Sequence, residues 1–110
     1  MYREIIFYGN HFILFYQNQD QKAKEKIIYT LDIIRKIEKI PTKFLKHIVN
    51  TRGLYEIRIS SSSNIYRVFC CFDEGNLVIL FNAFQKKTEK TPSKEIEKAK
   101  KLMDEYFKNK

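Results

Sequence analysis

Between Leu54 and Phe84 the chain carries three β-prone runs joined by two short turns, and few folds accommodate that pattern. In Leu54–Ser60, Tyr55, Ile57 and Ile59 share one face and Glu56 and Arg58 the other, the two-residue period of a strand. Ser61–Asn64 is a hairpin loop. Ile65–Phe72 is almost wholly apolar apart from Arg67, which suits a central strand. Asp73-Glu74-Gly75-Asn76 is a second tight turn, with Gly75 available for a positive φ. Leu77–Phe84 is again a buried run. The short turns predict a three-stranded antiparallel meander.

The flanks supply the rest of one α+β domain spanning residues 1–110. Arg3–Tyr8 predicts an N-terminal strand. Gly9-Asn10 breaks it, and Asn10 is placed to cap a helix from His11 through the apolar Phe12–Tyr16, a segment expected to be well buried. Asp20 is the next N-cap. Ile27, Ile28, Leu31, Ile34 and Ile37 then recur at helical spacing until Pro41, with Lys22, Lys24, Lys26, Lys36 and Lys39 on the other side. These two segments form a helical hairpin. Thr42–Val49 suggests a turn of helix followed by a loop. Thr91-Pro92 caps a last helix, with Pro at its first position and Ile96, Ala99, Leu102, Met103, Tyr106 and Phe107 along one face. The expected order is β-α-α-β-β-β-α, an antiparallel sheet with helices packed on it.

Formal net charge is +8, which for so small a domain favours a polyanionic partner, the alternative being an ordinary soluble surface rich in lysine. The excess is shared between both halves of the chain, so it is not a basic tail on a neutral body. Cys70 and Cys71 are the only cysteines; as strand neighbours they point to opposite faces, which leaves no disulfide framework and no metal-ligand spacing. The apolar stretch Ile5–Tyr16 is broken by Gly9-Asn10-His11 and is too short to span a bilayer, so the expectation is a cytoplasmic protein without a membrane role.

Arg67 is the sharpest candidate for chemistry. An unpaired guanidinium inside an apolar strand is expensive. It must therefore meet a carboxylate, with Glu56 on the adjoining strand the obvious partner, or open onto an anion site shared with Arg58. Two forked guanidiniums on adjacent strands suit a phosphate. Lys86 and Lys87 leave the third meander strand and are either ordinary solvated lysines or phosphate ligands and proton carriers at the same end. Thr88, Lys90 and Thr91 extend a polar basic loop into the last helix. Tyr55 and Tyr66 are either core residues or platforms on which bases stack. His11 and His47 have no partner pattern of a nucleophile or metal site. With no Gly-rich phosphate loop and no carboxylate cluster for a divalent metal, any nuclease activity is expected to run without metal or other cofactor.

Three blocks in this order carry a family resemblance: Gly53-Leu54-Tyr55-Glu56-Ile57-Arg58, Tyr66-Arg67-Val68-Phe69, and Phe84-Gln85-Lys86-Lys87-Thr88-Glu89-Lys90-Thr91-Pro92 with Glu95-Ile96-Glu97-Lys98-Ala99 behind it. Together they resemble the HigB branch of the RelE/ParE type II toxin superfamily. The resemblance implies a RelE-like fold and a toxin that cuts mRNA on the ribosome, the 2′-hydroxyl attacking the neighbouring phosphate. By position, Arg58 and Arg67 would bind the scissile phosphate and stabilise its developing charge. Lys86 or Lys87 would be a phosphate ligand or proton donor; on the reading of the residues themselves, Lys90, Thr88, Tyr55 and Tyr66 are the further candidates for RNA contact. The family's C-terminal active-site Tyr or His has no counterpart in Thr88–Pro92. The implied partner is a HigA-like helix-turn-helix antitoxin, with operator DNA met only through that complex. Two other classes stay open: a ParE-like toxin that poisons gyrase without cutting RNA, and a nucleic-acid-binding module without activity.

Overall fold

A computed structural model describes residues 2–110. In chain order it contains β1 (Glu4–Phe7), α1 (His11–Gln17), α2 (Gln21–Lys36), β2 (Leu45–His47), β3 (Tyr55–Ser61), β4 (Asn64–Asp73), β5 (Leu77–Lys86) and α3 (Ser93–Lys108). The strands form one five-stranded sheet in the order β1-β5-β4-β3-β2. The meander β3-β4-β5 is present, and the two-residue link between β3 and β4 uses a positive φ at Ser62 (57°).

Two expectations about the sheet are corrected. β1 pairs parallel to β5, so the sheet is mixed. The α1–α2 hairpin carries the chain over one face to the far edge. There Leu45–His47, expected as a turn of helix and loop, forms β2 and pairs antiparallel with β3. Three residues are too few to show a period of their own; what makes them a strand is the open edge of β3, whose backbone groups need partners.

β4 is buried from both sides, as its apolar run requires. On one face Ile57, Ile59, Tyr66, Val68, Cys70, Val78 and Leu80 pack with Phe12, Ile27, Leu31 and Ile34 of α1 and α2. On the other, Leu54, Phe69, Cys71, Ile79 and Phe81 pack with Ala99, Leu102 and Met103 of α3. The adjacent cysteines thus lie in different cores, both as free thiols. Burial raises both pKa values, that of Cys71 to about 12.

The helices also depart from expectation at their ends. α2 is capped as expected, the Ala23 N–H donating to Asp20 Oδ1 at 2.8 Å. It stops at Lys36, well before Pro41, and Ile37 is extended and exposed. The helix-terminal carbonyls are claimed by Arg3, whose guanidinium donates to Ile34 O (3.0 Å), Ile37 O (2.6 Å) and Glu38 O (2.7 Å). Asn10 makes no side-chain cap, and only Phe12 of α1 is buried, with Leu14 exposed, because nothing covers the outer side of this short helix. Pro92 sits at the N-cap of α3 and not inside it, and the Thr91 hydroxyl is used elsewhere.

The β4–β5 ladder contains a register shift. Val68 faces Ala83, but Cys70 faces Leu80, so β5 carries an extra residue at Phe81-Asn82. Asn82 is buried there and donates through Nδ2 to Glu95 O (3.2 Å) and Glu95 Oε1 (3.1 Å), tying the bulge to the first turn of α3. A bulge reverses the face of every later side chain on its strand. Leu77, Ile79 and Phe81 face α3 before it; after it Ala83 joins the α1–α2 core and Phe84 the α3 side.

Candidate phosphate-binding cleft

At the α3 side of the sheet, β2, β3, the end of β5 and the loop entering α3 enclose an open cleft of about 300 Å³, with Lys46, Glu56, Arg58, Lys86 and Thr91 on its walls. The register of β3 and β4 sets Arg58 directly opposite Arg67. Like charges in that position repel. Glu56 lies between them: its Oε2 is 3.3 Å from Arg58 Nε and 3.5 Å from Arg67 Nε. Thr91 Oγ1 donates to the other carboxylate oxygen at 3.5 Å. Of the two alternatives for Arg67, the structure shows the ion pair with Glu56, and Arg58 shares that carboxylate.

The two guanidiniums are not equivalent. Arg67 is 6% exposed and donates through Nη1 to its neighbour's carbonyl, Tyr66 O, at 3.1 Å. Its Nε meets Glu56 as a charge contact without hydrogen-bond geometry. Burial lowers the Arg67 pKa, Glu56 pulls it back up, and Arg58 pushes it down again. Arg58 has a side chain 30% exposed, and its Nη groups make no hydrogen bond among the described residues. Arg67 is thus the fixed, desolvated charge and Arg58 the accessible fork. An arriving phosphate would meet cations that its own negative charge relieves.

Of the residues singled out from sequence, the fold brings Arg58, Arg67 and Lys86 to this side. Lys86 lies within β5, not after it, and the bulge is what turns it into the cleft. Lys87 is exposed beyond the strand and is not on the cleft wall. Lys90 is exposed, and Thr88 uses its hydroxyl on Lys90 O at 2.8 Å. Tyr66 is corrected to a core residue: it is 3% exposed on the opposite face, edge-on to Phe15, with no surface for a base. Tyr55 shares that opposite face, half-buried and edge-on to His47 (5.2 Å) and Phe72 (5.1 Å).

One contributor escaped the sequence reading, and a second was placed without its role. Lys46 comes from β2, paired with Glu56, and only the register of that edge strand reveals its place. Thr91 looked like a helix cap, yet its hydroxyl belongs to Glu56. His47 also borders the cleft, its Nε2 3.3 Å from Thr51 O.

No curated protein gives a significant match to the chain. The family model for the phage-derived Gp49-like proteins does match, over residues 15–104, which runs from the last turn of α1 through most of α3. With that span covering the sheet meander and the whole cleft, the chain belongs to the Gp49-like family, and through it to the RelE/ParE-like toxin superfamily.

Proposed function

We propose that this protein is the toxin of a type II toxin–antitoxin pair of HigB-like character, an endoribonuclease that cuts mRNA on the ribosome. The single observation that supports this reading most is the pair of guanidiniums facing each other across β3 and β4 over one carboxylate, with Lys86 and Lys46 beside them in an open cleft. A stable ion-pair network alone has no need of further unpaired cations around it.

In the proposed reaction the 2′-oxygen of one nucleotide attacks the adjacent phosphorus as the bond to the 5′-oxygen breaks. The products are a 2′,3′-cyclic phosphate and a free 5′-hydroxyl. The 2′-hydroxyl loses a proton, and the leaving oxygen gains one. Charge gathers on the non-bridging oxygens, where the Arg58 fork binds and Arg67, already desolvated, contributes most. Lys86 serves as ligand to the same phosphate or as proton donor to the leaving oxygen. Glu56 and Thr91 hold the guanidiniums in position. Such a toxin would be neutralised by a helix-turn-helix antitoxin and would meet operator DNA only in that complex. Cytoplasmic action is part of the proposal; no helix among the described residues is long and apolar enough to cross a membrane.

Controlled expression in a bacterium, with 5′-end mapping of transcripts, tests this. Arrested translation with cuts inside codons and 5′-hydroxyl ends is the expected result. Double-strand breaks with an SOS response and intact transcripts would move the protein to the gyrase-poisoning class, and unimpaired growth would leave a binding module.

A further inference from the structure

The cleft does not end at Arg58. β2 stops with Leu45 opposite Ile57, and the Arg58 N–H makes the last cross-edge hydrogen bond, to Phe44 O at 2.8 Å. Past that point the edge of β3 is uncovered. A second depression of about 230 Å³ opens there, walled by Lys26, Tyr29, Lys43, Arg58 and Ser60. Arg58 thus belongs to both hollows. Lys26, Tyr29 and Ser60 in turn border a third, of about 390 Å³, which adds Lys22, Glu25 and the β3–β4 turn. The three form a chain around the sheet edge from the α3 side to α2.

The lining of this extension is one-sided in charge: Lys22, Lys26, Lys43 and Arg58 against Glu25. It also displays an aromatic ring that the fold does not use. α2 buries Ala23, Ile27, Thr30, Leu31 and Ile34, whereas Tyr29 is 54% exposed. Lys26 Nζ lies 5.3 Å from the centroid of that ring. A basic groove with an open aromatic is what a single nucleic-acid strand needs, cations along its phosphates and a π-face under a base.

We propose that single-stranded RNA leaves the cleft past Arg58 and follows this groove, with phosphates over Lys43, Lys26 and Lys22 and one base stacked on Tyr29. This rests on the nuclease reading of the cleft and adds a path for the substrate beyond the scissile bond. An acidic polypeptide would satisfy the charge equally well. The exposed ring and the continuity with the phosphate cleft favour RNA.

The test uses the intact protein and 2′-O-methyl RNAs, which lack the attacking hydroxyl: a trinucleotide and an oligomer of about ten nucleotides. Lys26→Glu/Lys43→Glu should weaken the longer RNA about tenfold or more while sparing the trinucleotide, and should flatten its salt dependence by about 1.4 or more in log–log slope. Tyr29→Ala should weaken the longer RNA about fivefold or more, and a 4-thiouridine probe should crosslink to Tyr29. All three side chains are exposed, so folding is not at stake. If Arg58→Ala weakens both RNAs but the groove variants change neither affinity nor slope, this inference is overturned and the cleft reading stands. If the wild-type protein binds neither RNA, the groove inference is overturned, and the cleft reading is judged by the 5′-end mapping above. If the groove variants impair binding of poly-glutamate and leave RNA untouched, the groove is a polypeptide surface and the inference is overturned.

Discussion

Replacing Arg67 with alanine separates a phosphate site from a structural ion pair. The substitution removes a nearly buried guanidinium but does not strand Glu56, which keeps Arg58 at 3.3 Å and the Thr91 hydroxyl at 3.5 Å. It also removes the repulsion between two arginines paired across the strands. The stability loss should therefore be about 1–3 kcal/mol, below the 3–5 kcal/mol typical of leaving a buried charge without any partner. A domain of ordinary stability, about 5–15 kcal/mol, survives that; even about 2 kcal/mol remaining keeps roughly 97% of molecules folded. If Arg67 stabilises the transition-state charge as proposed, its loss should cost on the order of 10²–10³-fold in rate. Circular dichroism and thermal melting give the folded fraction, and cleavage of a reporter message in a translation extract gives the rate. Arg67→Lys keeps the charge but not the fork, and its activity should fall between the two. A folded Arg67→Ala protein that retains activity within about fivefold of wild type would refute the reasoning, since the expected loss is at least about 10²-fold. A protein that fails to fold would show that Arg67 serves the core.

The bulge in β5 predicts different fates for adjacent lysines. Lys86→Ala should slow cleavage by about 10²-fold or more, as expected for a lost proton donor, and Lys87→Ala, outside the cleft, should leave the rate essentially unchanged. The end of α3 predicts a pH dependence of stability. Tyr106 Oη donates to Asp73 Oδ2 at 2.7 Å and Lys110 Nζ to Asp73 Oδ1 at 2.9 Å, and these bonds hold the Asp73 carboxyl below its ordinary range. A lowered folded pKa stabilises above the unfolded value, near 4, and that stability disappears as pH falls through the folded one. Wild type should therefore melt above Asp73→Asn at neutral pH, and the gap should close on acidification. Tyr106, pushed up to about 12 chiefly by Asp73, should open the reverse loss as pH rises from about 10 towards that value.

What the sequence disclosed depended on whether a segment's state is decided locally. β4 announces itself because burial on both faces demands an unbroken apolar run, and Asp20 caps α2 through residues three positions away. β2 has no such signature: Leu45–His47 is a strand because β3 offers an open edge, and without β2 neither Lys46 nor the closed side of the cleft can be placed. Where α2 ends, the carbonyls of Ile34, Ile37 and Glu38 accept from Arg3, more than thirty residues upstream, a contact that local spacing does not disclose, and Pro41 lies beyond the helix. Tyr66 was ambiguous because an aromatic on a strand serves a core or a base equally well until its face is known.

The same logic explains why the choice between Lys86 and Lys87 could not be read from spacing. Strict alternation from Ile79 and Phe81, which face α3, would bring the odd-numbered residue, Lys87, to the cleft side. One extra residue at Phe81-Asn82 reverses the phase and brings Lys86 instead. That bulge is held from outside the sheet, by Asn82 donating to Glu95 on α3. The loop carrying Thr91 to Glu56 leads into the same first turn of α3. A single contact region between bulge and helix therefore sets both the lysine that enters the cleft and the hydroxyl that steadies its carboxylate. Glu56 completes the arrangement. It offsets part of the repulsion between two opposed guanidiniums, so that they coexist on neighbouring strands, yet it reaches each through Nε alone. The carboxylate thereby keeps two arginines opposite each other on neighbouring strands without forcing the strands apart, and in the proposed function that pair would receive the phosphate.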